Sequence, residues 1–180
     1  MCDKPYLLYV GNVKPHKNLI NLVKAFDLIK DKIPHTLVIV GKKKGFITGD
    51  NNIFKITEKI SDRVIFTGYI DDNLLKQYYK QADLLIFPSL YEGFGLPPLE
   101  ALATGTNVIC SNILVLKEVC TDMVRYFDPL DINSISKCII ENIMVDTSIK
   151  NINLLDKYNW EKSATKYINS IEGMLIDDRN

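Results

Sequence analysis

The chain lacks an excess of charge of either sign. Its 180 residues include 22 Lys and Arg against 22 Asp and Glu, which gives a formal net charge of zero. Both nonspecific nucleic-acid binders and polybasic membrane anchors need a long-range positive field, so these classes are excluded. No apolar run approaches the roughly 20 residues that span a bilayer, and Met1-Cys2-Asp3-Lys4-Pro5 does not resemble a signal peptide. We therefore expect no transmembrane segment, no nucleic-acid partner and a cytoplasmic location.

Residues that build metal sites and disulfide frameworks are also scarce. The chain has only two histidines, His16 and His35, and four cysteines, none of which form a C-x-x-C pair. Zinc sites and disulfide scaffolds have closer and more regular spacings, so we expect neither, and a reducing compartment is the default. His35 follows Pro34 directly and is predicted to lie at the surface. The cysteines are Cys2, Cys110, Cys120 and Cys138.

Short apolar runs alternate with longer amphipathic stretches along the whole chain. The short runs are rich in β-branched and aromatic residues and are apolar at consecutive positions, which is typical of strands buried on both faces of a parallel sheet. With 47% hydrophobic residues, the chain can bury a sizeable core. The predicted strands are Tyr6–Val10, Thr36–Val40, Val64–Thr67, Leu84–Phe87, Asn107–Cys110 and Val124–Phe127.

Helical patterns separate these strands, because apolar residues recur there at spacings of three and four. Strands that alternate with helices predict right-handed crossovers and an α/β fold with a doubly wound, Rossmann-like parallel sheet. In such sheets, ligands bind outside the carboxyl ends of the strands, in the loops that lead to the helices. The predicted helices cover Leu19–Ile29, a segment capped by Asp71-Asp72, Pro97–Thr104, Ile132–Val145 capped by Asp131, and Trp160–Ile176.

The first such loop runs from Gly11 to Asn18. Gly11 allows a ligand to approach the backbone closely, and the following helix offers free N–H groups with a partial positive charge. Lys17 adds a full positive charge at the helix start, so the loop could bind a phosphate. On this loop alone, a connection with solvated lysines is an equally good interpretation.

The loop after the fourth predicted strand carries two glycines between two carboxylates. Gly93 and Gly95 lead into a helix, Glu92 stands just before them, and Glu100 lies one turn inside the helix. A carboxylate near a helix N-terminus stays ionised and accepts hydrogen bonds from hydroxyls, as ribose or sugar recognition requires. An exposed loop glutamate and a helix-dipole glutamate would explain either residue singly, but they explain the glycine-flanked pair less well.

The stretch from Glu92 to Ala101 resembles the E-x7-E signature of the retaining glycosyltransferases of family 4, and Pro88-Ser89 precedes it as in that family. The resemblance covers nearly the whole chain and implies the C-terminal, donor-binding half of the two-domain GT-B fold. Further matches are Gly11, Pro15-His16-Lys17-Asn18, Val64-x-Phe66-x-Gly68, Ala103-x-Gly105-x-x-Val108, Phe127-Asp128-Pro129-x-Asp131 and Trp160-Glu161.

The resemblance also implies roles for individual residues. Lys17 and the backbone amides of the glycine loop would hold the diphosphate of a nucleotide sugar, and Glu92 would lie near the transferred sugar. Glu100 would receive the ribose hydroxyls, and the segment after the third strand would meet the base. The residues implied for catalysis are Glu92 and Lys17, and those implied for donor binding are Gly11, Asn12, Lys17, Tyr69, Ile70, Glu92, Gly93, Phe94, Gly95, Leu96 and Glu100.

The implied reaction retains the anomeric configuration through front-face attack and an oxocarbenium-like state. The leaving diphosphate helps to deprotonate the acceptor hydroxyl, so no dedicated protein base is needed. Helix dipoles and Lys17 would replace a divalent metal as counter-charge, so neither a metal nor another cofactor is expected.

Two departures from the family pattern bear on this interpretation. Many members have an arginine in the first loop, whereas this chain has Asn12 and His16 at those positions, so a bidentate phosphate contact is missing. Ile113–Val119 replaces a segment that often contains glycine and proline, and the path of this segment is left open by the sequence.

We expect residues 1–180 to form one donor-binding domain with its terminal helix at about 160–176, and no acceptor-binding domain within the chain. That domain would come from another part of a longer protein or from a partner chain, and it could add a peripheral membrane contact. The Pro-x-Lys-Asn loop resembles that of mannosyltransferases, so GDP-mannose is preferred over a UDP-sugar as donor.

Other classes remain as alternatives. The chain could be a non-catalytic module that binds a nucleotide sugar or docks a partner. An NAD-binding Rossmann domain fits the alternation of strands and helices, but Gly11-Asn12-Val13-Lys14 breaks the expected G-x-G-x-x-G fingerprint. A GT-B-like epimerase is closer in fold, but the E-x7-E spacing favours sugar transfer.

Overall fold

A computed structural model describes residues 5–41, 56–143 and 158–177. The chain divides into two compact units, Met1–Ile149 and Lys150–Asn180. The strands are β1 (Tyr6–Val10), β2 (Thr36–Val40), β3 (Val64–Gly68), β4 (Leu84–Phe87), β5 (Val108–Ser111) and β6 (Arg125–Phe127). The helices are α1 (Leu19–Ile29), α2 (Asp72–Gln81), α3 (Leu96–Ala103), α4 (Leu114–Cys120), α5 (Ile132–Asn142) and, in the second unit, α6 (Trp160–Asp177), with a short 3₁₀ turn at Pro15–Lys17.

The six strands form one sheet in the order β3-β2-β1-β4-β5-β6, and every neighbouring pair is parallel. Leu7 is in register with Leu37 of β2 on one side and with Leu84 of β4 on the other, and all three side chains are fully buried. The predicted fold class, an α/β fold with a doubly wound parallel sheet, is confirmed. The strand order reverses between β1 and β4, so the loops after these two strands flank the switch point, where such sheets bind ligands.

An apolar cluster joins the sheet to α1 and α5, which contact each other. Leu22 and Phe26 of α1 and Ile139 of α5 are completely buried in it. Burying one such side chain contributes about 1.5–3 kcal/mol, so this packing fixes where α1 begins relative to the strands. Its first residues directly follow the loop that carries Lys17.

Most predicted boundaries agree with the structure to within one residue, and the predicted caps are present. Asp71 accepts a hydrogen bond from the N–H of Leu74, and Asp131 accepts one from the N–H of Asn133. The helix predicted to run to Val145 ends at Asn142, and Val145 lies outside the described residues. The segment whose path the sequence left open is a helix, α4.

None of the helices within the described ranges combines the length and the apolar character needed to cross a membrane. Cys110, Cys120 and Cys138 are buried and free of disulfide bonds, while Cys2 lies outside the described residues.

The prediction that His35 lies at the surface is wrong, because only 5% of the residue is exposed. It lies just before β2, and its Nε2 is 3.2 Å from Oδ2 of Asp83, which precedes β4. Its Nδ1 is buried and has no hydrogen-bond partner in the described part of the chain. Burial lowers the pKa of His35, the Asp83 carboxylate opposes this effect without reversing it, and Arg63 lowers the pKa further. The imidazole is therefore kept neutral, since a protonated Nδ1 would bury an unpaired donor.

We expect the chain to lose stability as the pH falls from about 7 to about 5.5. Unfolded histidine has a pKa of about 6.5, whereas folded His35 resists protonation. The stability that it contributes is thus complete above about pH 6.5 and decreases below that value. Thermal unfolding followed by circular dichroism measures this dependence. The pH dependence should be weaker in His35→Gln and unchanged in the control His16→Gln; an unchanged dependence in His35→Gln would contradict the assignment.

Candidate functional site at the carboxyl edge of the sheet

Glycines close the carboxyl ends of the three strands β1, β2 and β3. The N–H of Gly11 donates to the carbonyl of Val40 at 2.9 Å, and the N–H of Gly41 donates to that of Gly68 at 3.1 Å. A Cβ at Gly41 would collide with the backbone carbonyl oxygen of Gly11. The two loops can therefore lie this close only because residue 41 has no side chain.

Lys17 and Glu92 form an ion pair across the switch point. Lys17 Nζ lies 2.6 Å from Glu92 Oε1, although the residues are 75 positions apart in the sequence. Only 19% of the lysine side chain and 12% of the glutamate side chain are exposed, so solvent screens this pair less than it screens a surface pair. The ammonium also lies 5.5 Å from the centroid of the Phe87 ring at the end of β4. The two residues that the sequence singled out for catalysis are thus in direct contact.

Tyr9 of β1 is hydrogen-bonded to the first loop. Its side chain is completely buried, and its hydroxyl donates to the carbonyl oxygen of Asn12 at 3.1 Å. Burial raises the pKa of the Tyr9 phenol, and the negative charge of Glu92 raises it further. The phenol therefore stays protonated and remains a donor to the loop, while the Asn12 side chain is exposed.

Asn18 joins three loops that are far apart in the sequence. Its Nδ2 donates to the carbonyl of Pro88 at 3.0 Å and to that of Pro129 at 2.7 Å, and only 3% of the residue is exposed. Its φ of 54° lies in the left-handed region, which asparagine tolerates better than most residues. The carbonyl of His16 accepts a further hydrogen bond from the N–H of Leu90, at 2.8 Å. The loop that carries Lys17 is thereby fixed against the loop that carries Glu92.

The second loop ends at Gly95, which precedes α3 with a φ of 98°. A Cβ at Gly95 would be strained at this φ and would lie 2.6 Å from Cδ2 of Leu116. Gly93 differs, because its φ lies outside the left-handed region and no atom lies within 4 Å of an added Cβ. Gly95 is required by the fold, whereas Gly93 borders open space.

The N-terminus of α3 has no side-chain cap within the described residues, and prolines follow its first residue. Pro97 and Pro98 have no N–H group, so the amides available at this end come from the glycine loop and from Leu96. These amides and the helix dipole can offset a negative charge on a ligand. Phe94 and Leu96 are 39% and 57% exposed.

Among the described residues, Glu100 forms neither a hydrogen bond nor an ion pair with Lys17 or Glu92. Its Oε2 instead accepts a 2.8 Å hydrogen bond from the hydroxyl of Tyr79 on α2, while the glutamate itself remains exposed. No motif in the sequence singled out Tyr79. Asn18 appeared only as part of a motif, since no local signal shows which distant carbonyls its amide reaches.

Tyr69 and Ile70 follow β3, two strands away from β1 at the same edge of the sheet. Tyr69 is 75% exposed and Ile70 is half-buried. Within residues 5–41, 56–143 and 158–177, no group of three or more histidine, cysteine, aspartate or glutamate side chains could hold a metal ion.

The sheet and its switch-point residues define a Rossmann-like domain with a polar site between the loops after β1 and β4. The chain belongs to the glycosyl transferases group 1 family, whose sequence profile matches residues 2–151. The predicted resemblance to the C-terminal domain of GT-B glycosyltransferases is confirmed.

Curated relatives include two bacterial mannosyltransferases. Over 174 residues, or 92% of its length, the chain is 31% identical to the O-antigen chain mannosyltransferase B of Escherichia coli and covers 45% of that protein. Over 126 residues, or 70% of its length, it is 36% identical to the O-antigen chain mannosyltransferase RfbU of Salmonella typhimurium and covers 35% of it. The chain spans less than half the length of these relatives.

Solved structures show the same fold. The structure of the sucrose-phosphate synthase of Thermosynechococcus elongatus aligns with a TM-score of 0.79 and 27% sequence identity. The alignment covers 97% of this chain and 46% of the synthase chain. The structure of the alpha,alpha-trehalose 6-phosphate synthase of Burkholderia multivorans aligns with a TM-score of 0.82 and 12% sequence identity. This alignment covers 98% of this chain and 44% of the synthase chain. The second likeness concerns the fold alone.

We expect Asn18→Asp to destabilise the domain by about 3 kcal/mol, because a carboxylate would face two carbonyl oxygens that have lost their donor. Aspartate has a similar shape and also tolerates the left-handed region, so the change isolates the two hydrogen bonds. Urea unfolding measures the loss. Asn21→Asp is the control, since the Asn21 side chain donates a longer hydrogen bond, of 3.2 Å, to the carbonyl of Pro129. Equal losses in the two variants would contradict a special role for Asn18.

Proposed function

We propose that this chain binds a nucleotide-diphosphate sugar and, together with an acceptor-binding domain, transfers the sugar to a hydroxyl group with retention of configuration. The observation that carries the proposal is the Lys17–Glu92 ion pair beside an uncapped helix N-terminus at the switch point of the sheet. Membership of the glycosyl transferases group 1 family supports the same reaction class. The E-x7-E signature further suggests the retaining family 4.

The diphosphate would bind between Lys17 and the amides of Gly93, Phe94, Gly95 and Leu96. The lysine ammonium and the α3 dipole offset the charge that accumulates on the leaving group, which is the main electrostatic task in this transfer. Gly11 and Asn12 border the same space. These groups supply the counter-charge, so the proposal assigns no step to a metal ion.

Glu92 would accept hydrogen bonds from the hydroxyls of the transferred sugar, and Glu100 from those of the ribose. Tyr69 and Ile70 would meet the base. In the reaction, the bond from C1 of the sugar to the diphosphate oxygen breaks, and a bond from C1 to the acceptor oxygen forms on the same face. The acceptor proton passes to an oxygen of the departing diphosphate, so the protein's role is to orient the groups and stabilise charge.

The ion pair couples the two binding functions of this site. In the free protein, Glu92 already occupies the ammonium that the diphosphate needs. An incoming diphosphate competes for Lys17 and thereby releases Glu92 to accept hydrogen bonds from the sugar. A nucleoside diphosphate without sugar gains the lysine contact but is repelled by the unsatisfied carboxylate.

GDP-mannose is the preferred donor in this proposal, because the curated relatives are named mannosyltransferases and the Pro-x-Lys-Asn loop resembles theirs. The acceptor-binding domain would be supplied by the rest of a longer protein or by a partner chain, since the chain covers 45% of its first relative. In this proposal, residues 1–180 are the donor-binding half of a two-domain glycosyltransferase in the cytoplasm. A peripheral membrane contact would come through the other half.

Calorimetric titration with GDP and UDP tests donor binding. We expect Lys17→Met to weaken nucleoside diphosphate binding by about tenfold or more, since it removes a charge-assisted contact. Glu92→Gln should instead tighten binding of the sugar-free diphosphate by roughly three- to tenfold, because the competing carboxylate is neutralised. The same substitution should impair sugar transfer.

Lys24→Met is the matched control, because Lys24 is an exposed lysine on α1. If the unaltered chain binds neither GDP nor UDP at millimolar concentration, the proposed function is wrong. If it binds, and Glu92→Gln leaves transfer by the assembled enzyme unaffected but changes complex formation, a non-catalytic binding module becomes the better description.

A matched pair of glycine substitutions tests where the ligand approaches. Gly93→Ala should leave the free energy of unfolding within about 0.5 kcal/mol of the unaltered chain, because the added methyl meets open space, but it should weaken nucleoside diphosphate binding. Gly95→Ala should cost about 1–3 kcal/mol of stability through its positive φ. Urea unfolding and calorimetry on both variants separate the effects, and unimpaired binding by Gly93→Ala would place the ligand elsewhere.

A further inference from the structure

The hydrogen bond between Tyr79 and Glu100 joins two consecutive helices beside the candidate site. Tyr79 Oη donates to Glu100 Oε2 at 2.8 Å, across 21 positions of sequence. Tyr79 is 2% exposed, whereas Glu100 is exposed. A buried, rigid phenol therefore holds one oxygen of a carboxylate that faces solvent.

The backbone of Tyr79 is held in place as well. Its carbonyl oxygen accepts a hydrogen bond from Thr106 Oγ1, and Thr106 Oγ1 lies 3.0 Å from Thr104 Oγ1. Thr104 caps α3, the helix that carries Glu100. Both the side chain and the backbone of Tyr79 are thus bound to α3 or to the residues that follow it, so the position of the phenol is set relative to that helix.

The phenol can serve as a permanent donor at this position. Burial raises the pKa of Tyr79, and the nearby charge of Glu100 raises it further, so the hydroxyl keeps its proton at neutral pH. An exposed glutamate otherwise samples several rotamers, and ordering it on ligand binding costs conformational entropy. A fixed donor on one oxygen removes much of that cost and leaves Oε1 available to a ligand.

We propose that Tyr79 is a positioning residue for ribose recognition: it orients the Glu100 carboxylate so that the free oxygen accepts hydrogen bonds from the ribose hydroxyls of the donor nucleotide. This inference rests on the proposed function, because Glu100 receives the ribose there. Tyr79 itself touches neither the donor nor the reacting atoms. It acts through Glu100 alone.

The test compares Tyr79→Phe with Tyr78→Phe by calorimetric titration of GDP and of 2′,3′-dideoxy-GDP, with UDP and its dideoxy analogue run in parallel. Tyr78 is a suitable control because it is the adjacent tyrosine of α2, and its ring packs edge-on against Tyr6 with centroids 6.1 Å apart. Both variants lose one hydroxyl and keep the aromatic ring. Thermal unfolding is measured on both.

We expect Tyr79→Phe to weaken binding of the ribonucleotide by roughly three- to tenfold and to leave binding of the dideoxynucleotide unchanged. Tyr78→Phe should bind both ligands like the unaltered chain. Glu100→Gln, a substitution at an exposed position, should also reduce the preference for ribose over dideoxyribose. Combining it with Tyr79→Phe should add less than the sum of the two single effects, because both act on the same hydrogen bonds.

Each other result overturns the inference. An equal loss for both ligands, or a Tyr79→Phe chain that does not fold, would mean that Tyr79 is structural. No loss for the ribonucleotide, or additive effects with Glu100→Gln, would mean that Glu100 is oriented without it. If the unaltered chain binds no nucleoside diphosphate, the proposed function is wrong. If the unaltered chain binds but Tyr79→Phe does not behave as expected, the proposed function stands and only this inference is wrong.

Discussion

The buried amide of Asn18 is the constraint on which the site depends. Its two hydrogen bonds end on carbonyl oxygens 70 and 111 residues away, so one side chain holds the loops after β1, β4 and β6 together. Without these hydrogen bonds, the 3₁₀ turn that carries Lys17 would be held less firmly opposite Glu92. The left-handed backbone at Asn18 also turns the chain into α1, and the core packing of α1 then fixes the arrangement.

The site also concentrates positive charge within a chain whose net charge is zero. Positive potential is built locally, from Lys17 and from the amides and dipole at the start of α3. The acidic partner Glu92 keeps the ammonium oriented in the free protein and limits its attraction for anions in general. Because both side chains of the pair are largely buried, solvent screens it less than it would screen an exposed ion pair.

Sequence patterns predicted the sheet well because each strand and helix is specified by residues close to one another. Leu84–Phe87 reads as a buried strand from its composition alone, and Asp71 and Asp131 mark helix starts through bonds to residues two or three positions on. His35 was misjudged because its surroundings include Asp83, which precedes β4 and is 48 positions away in the sequence. The helix α4 was missed because the segment departs from the family pattern, although its apolar spacing is compatible with a helix.

The sequence by itself determined the class of fold and the loops in which to look for a site, since hydrophobic periodicity, glycines and helix caps act over a few residues. It also identified Lys17 and Glu92 as candidates, through a motif. Only the tertiary structure decided that these two are paired, that Asn18 braces the loops, and that Tyr79 holds Glu100. Such contacts join residues 21 to 111 positions apart, and their geometry follows from how α1, α2 and α3 pack on the sheet, which no local pattern encodes.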